Sequence, residues 1–234
     1  MMNATKILVV ATTNEHKITE ISSIAGSFGY VVISRKDAGV PEFEIEETGA
    51  TFEENSLLKC QSIFDALGGK VAVVADDSGL EVDILGGAPG VYSARFAGQE
   101  EPGKYQASAD GDEIDFSVAD LDTNQFHRSR QDRANNAKLL RLLESIPHEQ
   151  RTARFVSVIT CILPDKPPIV CRGEVEGFVA FEETGTAGFG YDPLFIPVGY
   201  DQSFGLFAPE DKNAISHRAR ALAGLAEKLS LENS

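Results

Sequence analysis

Two long apolar stretches in the second half of the chain constrain its fold most. Residues 152–163 alternate or run apolar, 164–168 carry three prolines and an Asp, and 169–181 return with alternating apolar positions. Runs of that length and period read as strands, and the short Pro-bounded turn between them makes an antiparallel hairpin. The N-terminus adds a different unit. Residues 6–11 are an apolar strand-length run that stops at Thr12-Thr13-Asn14, and Ile18, Ile21, Ile24 and Ala25 then recur on one helical face. Gly26 and Gly29 end that helix, and residues 30–33 read as a second strand. Strands alternating with helices, together with a long hairpin, predict an α/β protein built on a mixed sheet.

Local signals place the remaining elements. Thr51 and Glu54 form a capping box opening a helix with Leu57, Cys60, Phe64 and Leu67 on one face, stopped by Gly68-Gly69. Residues 71–75 read as a buried strand ending in the turn-like Asp76-Asp77-Ser78-Gly79. Residues 99–132 are acidic, glycine-containing and aperiodic, and read as a surface insertion. A helix resumes at Arg133 with Leu139, Leu142 and Leu143. Residues 185–193 form a glycine-rich loop, and 213–229 a terminal helix with Ile215, Ala219, Leu222, Ala226 and Leu229 inward.

Composition narrows the function classes. The chain has 234 residues with a net charge of −15, 42% hydrophobic and 24% charged, which suits one soluble domain. The negative balance argues against binding nucleic acid through the whole surface, because counterion release needs clustered Lys and Arg. No apolar run approaches the ~20 residues that span a bilayer, and no secretory signal is visible at the N-terminus. Three cysteines without a CxxC read as reduced thiols of a cytoplasmic protein. Four scattered His residues argue against zinc.

Five constellations carry chemistry. Thr12, Thr13, Asn14, Glu15, His16 and Lys17 sit where a strand hands over to a helix, a place that favours anions; taken alone, a plain Asn14 cap with a solvated Lys17 explains them better. Asn55 and Lys59 share a helix face that spacing alone reads as solvated. Glu46-Glu47 and Asp76-Asp77 supply paired carboxylates, the latter after a strand, and hard oxygen donors suit Mg²⁺; a turn is the alternative. In Gly188-Phe189-Gly190-Tyr191-Asp192 the glycines admit close backbone approach and the aromatics can stack on a base, or else pack into the core. Lys212, His217 and Arg218 crowd cations into a helix opening, the wrong end for the helix dipole unless an anionic or electron-rich ligand is near.

The segments ATTNEHKITEI, EETGATFEENSLLK, ADDSGLEVDILGGAPGVYSARFAG, GFGYDPLF and DKNAISHRARAL occur in this order. Together they resemble the inosine triphosphate pyrophosphatase family, over nearly the whole chain. The resemblance implies an elongated two-lobed fold around a long central mixed β-sheet, with the active site in the cleft between the lobes, and a homodimer. It implies Mg²⁺-dependent hydrolysis of purine nucleoside triphosphates (dITP, ITP and XTP) to the monophosphate and pyrophosphate. By that match Thr12–Lys17 and Lys59 contact the phosphates, Glu46 and Asp77 hold the metal, and Asp77 is catalytic. Ser78 contacts substrate, Phe189–Asp192 form the base-side loop, and Lys212, His217 and Arg218 contact base and phosphate. Asp77, Asp76 and Glu47 all remain open as the group that activates water. The donors of Arg218 and His217 would accept the carbonyl at position six of the purine and leave an adenine amino group unpaired. Thr13, Leu206 and Ala219 depart from the family's usual residues.

Overall fold

The computed structural model describes residues 6–41, 43–99 and 130–231. Residues 100–129, most of the expected acidic insertion, lie outside the described residues. A six-stranded sheet runs in the order β2-β1-β3-β4-β5-β6. β1 (Lys6–Val10) lies parallel between β2 (Tyr30–Ser34) and β3 (Val73–Val82). β4 (Thr152–Ile162) and β5 (Ile169–Val179) are the expected hairpin, antiparallel to each other and, through β4, to β3; β6 (Phe195–Pro197) closes the edge. The sheet is therefore mixed, as the sequence predicted.

Helix α1 (Glu15–Ser27) and α5 (His217–Leu231) lie on one face of the sheet, packing Ile21, Leu222 and Leu225 against Leu8, Val10, Val74 and Ile159. Helix α2 (Phe52–Ala66) covers the other, with Cys60 and Ile63 against Val9, Val73 and Ala75. Helix α3 (Arg130–Leu142) serves a separate core at the far end of the long strands, where Leu139, Leu142 and Leu143 meet Leu80, Val82, Phe155 and Val175. β3 thus enters the cores on its two faces with residues 73–75, and the far core with Leu80 and Val82. Residues 76–79 cross the interval between them.

Several boundaries differ from the sequence reading. Asp76-Asp77-Ser78-Gly79 is not a turn: β3 runs through it, because β4 pairs with every residue from Val73 to Val82 and satisfies the backbone. α3 starts at Arg130, three residues before Arg133. The terminal helix is two: α4 (Pro209–Ile215) and α5, broken at Ser216. Pro209 opens α4, and the Ser216 hydroxyl accepts the Ala219 amide as the cap of α5. On α2 the buried face is Phe52, Asn55, Ser56, Cys60 and Ile63, while Leu57 is exposed. Asn55, expected on a solvated face, is fully buried. No described helix is long and apolar enough to cross a membrane.

Candidate functional site

The site grows from the middle of β3. Successive side chains on a strand point to opposite faces, so Asp76 and Asp77 do not face each other as the paired acids of the sequence reading would. Asp76 turns towards α1 and α5 and Asp77 towards α2. Each meets its own cations.

Asp76 is buried to 1% exposure. Its Oδ2 lies 2.8 Å from Lys17 Nζ and 3.2 Å from an Arg218 terminal nitrogen, and accepts the Ser78 hydroxyl at 3.0 Å. Its Oδ1 accepts the Ser157 hydroxyl at 2.6 Å. Burial would push this carboxyl up, but Arg218 and Lys17 outweigh it and hold the pKa well below the ordinary range.

Asp77 has a different balance. Its Oδ1 lies 2.6 Å from Lys59 Nζ, and its buried Oδ2 has no hydrogen-bond partner among the described residues. Burial raises its pKa against the pull of Lys59 and Lys17. Lys59 also reaches Glu47 at 3.4 Å, and Arg95 stands 3.7 Å from the other Glu47 oxygen.

Glu47, and not Glu46, is the acid brought to this place. The extended segment before α2 alternates, with Ile45, Glu47 and Gly49 partly covered and Glu46 and Thr48 exposed. Asn55 fixes that register: its side-chain oxygen accepts the Gly49 amide at 2.8 Å and its amide donates back to the Gly49 carbonyl at 3.3 Å. Glu46, the expected metal ligand, is exposed and does not line the cavity that Glu47 lines.

The first loop is capped by its own side chains. Asn14 Oδ1 accepts the amides of His16 and Lys17 at 3.0 and 3.3 Å, and Thr12 Oγ1 accepts the Asn14 amide at 3.1 Å. Those two helix amides are thus taken, and the Lys17 ammonium is what this helix start offers an anion. Burial pushes the Lys17 ammonium down from its usual value, with Asp76 opposing and Lys59 and Arg218 adding to the shift. Thr12, Thr13, Asn14, Lys17, Glu47, Lys59, Asp77 and Ser78 line one cavity of about 310 Å³. Arg35, which the sequence reading missed, lines it too, its guanidinium held by the Phe43 carbonyl at 3.1 Å. Glu15 lines neither this cavity nor the next.

The second cavity, about 110 Å³, shares Asn14, Lys17, Ser78 and Ala94 with the first. Its walls include Phe155, Phe189, Gly190, Tyr191, Asp192, Lys212, His217 and Arg218. His16 leaves the phosphate side and stacks on Phe189, with ring centroids 5.3 Å apart. Tyr191 is buried and donates its hydroxyl to the Ser93 carbonyl at 2.9 Å, so it is a wall and not a free stacking ring. Lys212 lies 2.8 Å from Glu20 and 2.7 Å from Asp192, whose carboxylate also accepts the Phe189 amide at 2.8 Å. Burial works against the Lys212 charge, but Asp192 and Glu20 raise its pKa above the usual value.

Arg218 is fully buried and largely committed: one terminal nitrogen pairs with Glu20, the other with Asp76 and the Ser78 hydroxyl. Only its Nε lacks a partner among the described residues, as does Nδ1 of His217. Burial, Arg218 and Lys212 hold His217 well below its ordinary pKa, so it is neutral, and its ring stacks on Phe155 at 4.8 Å. Glu20, placed on α1 one turn beyond Lys17, is the residue the sequence reading missed most plainly. Its i+3 spacing from Lys17 puts both on one helix face. Asp132 was missed as well: it accepts the Gly190 amide at 3.2 Å from the first turn of α3.

Comparison with known proteins gives a consistent result. The model of the Ham1 family matches residues 8–114 and 118–228. A dITP/XTP pyrophosphatase of Bacillus licheniformis is 41% identical over 224 residues, covering 96% of this chain and 98% of its own. One from Bacillus subtilis is 39% identical, covering 96% and 97%. The solved structure of the Staphylococcus aureus Ham1 protein superposes with a TM-score of 0.74 at 37% identity, covering 97% of this chain and all of that one.

Proposed function

The chain belongs to the Ham1 family, and on that premise we propose that it hydrolyses the deaminated purine nucleotides dITP, ITP and XTP to the monophosphate and pyrophosphate. One observation carries this reading. Lys17, Lys59, Arg35 and Asp77 converge on one cavity, which shares Asn14, Lys17, Ser78 and Ala94 with an aromatic-walled pocket lined by His217 and Arg218, each with one buried nitrogen that has no partner among the described residues.

The roles follow from the charges. A triphosphate brings about four negative charges, and in phosphoryl transfer most of the work is positioning and electrostatic stabilisation. Lys17 and Lys59 flank the β3 acids from opposite faces, so a phosphate chain lying across Asp77 and Ser78 meets an ammonium on either side. An arriving anion also restores the proton affinity that burial takes from Lys17. Attack at the α-phosphorus then makes pyrophosphate the leaving group.

Three carboxylates were candidates for activating water. Asp76 is withdrawn from that chemistry, since both oxygens are taken and its proton affinity is low. Asp77 keeps an oxygen without a partner and a raised proton affinity, the properties of a group that orients water and receives its proton. Glu47 stands beside it across Lys59.

Mg²⁺ fits these residues. Among the described residues no group of three or more His, Cys, Asp and Glu forms a metal cluster. Mg²⁺ does not need one, because it takes one or two carboxylates and completes its shell with phosphate and water. Asp77 and Glu47 would hold the ion. When bound, it would neutralise phosphate charge in the transition state. Lys59, paired with Asp77 and lining the same cavity, would contact the phosphates.

On the base side, the Arg218 Nε and neutral His217 supply the hydrogen bonding, and Phe189 the stacking surface. The homodimeric state rests on the family resemblance, and the cytoplasmic setting on three buried, unbridged cysteines, which suit a reducing compartment. The test is product analysis. ITP with Mg²⁺ should yield IMP and pyrophosphate; IDP and phosphate would overturn the reading.

A further inference from the structure

An unbroken series of buried ion pairs joins the two cavities. It runs from Lys17 to Asp76 at 2.8 Å, from Asp76 to Arg218 at 3.2 Å, and from Arg218 to Glu20. It continues from Glu20 to Lys212 at 2.8 Å and from Lys212 to Asp192 at 2.7 Å, where Asp192 holds the Phe189 amide. Three cations and three anions balance along it. One end is the lysine of the phosphate cavity, and the other is the loop that carries the stacking ring.

We propose that Asp76 is a positioning residue that makes phosphate binding at Lys17 depend on occupancy of the base pocket. Asp76 has two cationic partners. A phosphate drawn to Lys17 competes for one of them, and the Asp76 charge must then be carried by Arg218 alone. Arg218 lines the base pocket and is itself shared with Glu20. Arg218 and Asp76 are already shielded from solvent, and an ion pair is strong where the local dielectric is low, so Arg218 can carry the Asp76 charge once Lys17 is shared. A base that accepts from Arg218 Nε also fixes the guanidinium in place. The seated base therefore lowers the cost of sharing Lys17, and the two subsites bind with positive cooperativity. Asp76 touches neither the base nor the reacting phosphorus; it acts through Lys17 and Arg218.

The inference rests on the two-subsite reading above, and binding without turnover tests it separately. Inosine and inorganic triphosphate are titrated singly and together by calorimetry in a Mg²⁺ buffer. In the wild type, saturating inosine should tighten triphosphate binding by about 5-fold or more, and triphosphate should tighten inosine by the same factor, since coupling is reciprocal. Adenosine, which offers Arg218 an amino group, should give less. In Asp76→Asn both ligands should still bind singly while the factor falls towards one. A structural role would lower the melting temperature without abolishing that factor. Ser157→Ala frees Asp76 Oδ1 without changing any charge, and should also reduce the factor should Asp76→Asn not fold. Independent or competitive binding in the wild type, or an undiminished factor in a folded variant, overturns the proposal. Failure of either ligand to bind the wild type alone overturns the two-subsite reading and the proposal with it.

Discussion

Asp77→Asn should separate activity from stability. Asp77 is 5% exposed, with Oδ1 at 2.6 Å from Lys59 and Oδ2 without a partner. Its pKa is raised in the folded protein. A group with a raised folded pKa contributes stability below its unfolded pKa and loses it as pH rises through the folded one. At neutral pH the ionised Asp77 is therefore a net cost to the fold. A buried polar atom left unsatisfied costs about 1–3 kcal/mol. Asn keeps an acceptor for Lys59 and removes the charge, so the variant should be as stable as wild type or up to about 1–2 kcal/mol more stable at pH 7. For a domain of this size each kcal/mol moves the melting temperature by roughly 2–4 °C. Turnover should fall in the opposite direction, by about 10²–10³ or more. Thermal melts between pH 4 and 8, alongside kcat for ITP, measure both. The stability advantage should grow as pH rises from the ordinary carboxylate range. A variant several degrees less stable at pH 7, or one that turns over ITP near the wild-type rate, would refute the reasoning.

Glu20 should show the opposite pH dependence. Burial alone would raise its pKa, but Arg218 and Lys212 hold it at about 2, against an ordinary 4.5. That difference corresponds to about 3 kcal/mol present above pH 4.5 and lost as pH falls towards 2. Glu20→Gln should therefore be less stable at pH 7 by up to that amount, and urea titrations should show the gap closing below about pH 4.5; a constant gap would count against it. Gly173→Ala tests how the base side is seated. A Cβ at 173 would lie 2.2 Å from the His217 carbonyl and 2.4 Å from the Ala221 amide, so α5 must move off the sheet. A loss of about 1–3 kcal/mol is expected, with weaker inosine binding because His217 and Arg218 ride on that helix; calorimetry showing unchanged inosine affinity would mean that the shift stops short of the pocket.

Local chemistry was legible where it is self-contained. The Asn14 cap, the Thr51–Glu54 capping box and the 152–181 hairpin depend on residues close in sequence, and all appear in the structure; the mixed α/β sheet was legible from the order of the elements. Lys17, Lys59, Asp77, Lys212, His217 and Arg218, singled out from the sequence, line the two cavities. The Ser216 break between α4 and α5 was readable from its cap chemistry and was passed over.

The rest depended on contacts between segments far apart in sequence. Asp-Asp-Ser-Gly has the composition of a turn, and only the β4 ladder, some 80 residues away, extends it as strand and sends Asp76 and Asp77 to opposite faces. Asn55 resembles a solvated helix residue until Gly49 folds back onto it, and that same contact selects Glu47 over Glu46. Glu20 carries no signal of its own, because its partners Lys212 and Arg218 arrive from the far end of the chain. The sequence by itself determined which elements form and which charged groups the protein possesses. Tertiary structure decided which charge neutralises which, because the worth of an ion pair depends on distance and burial, and neither is encoded within any one segment.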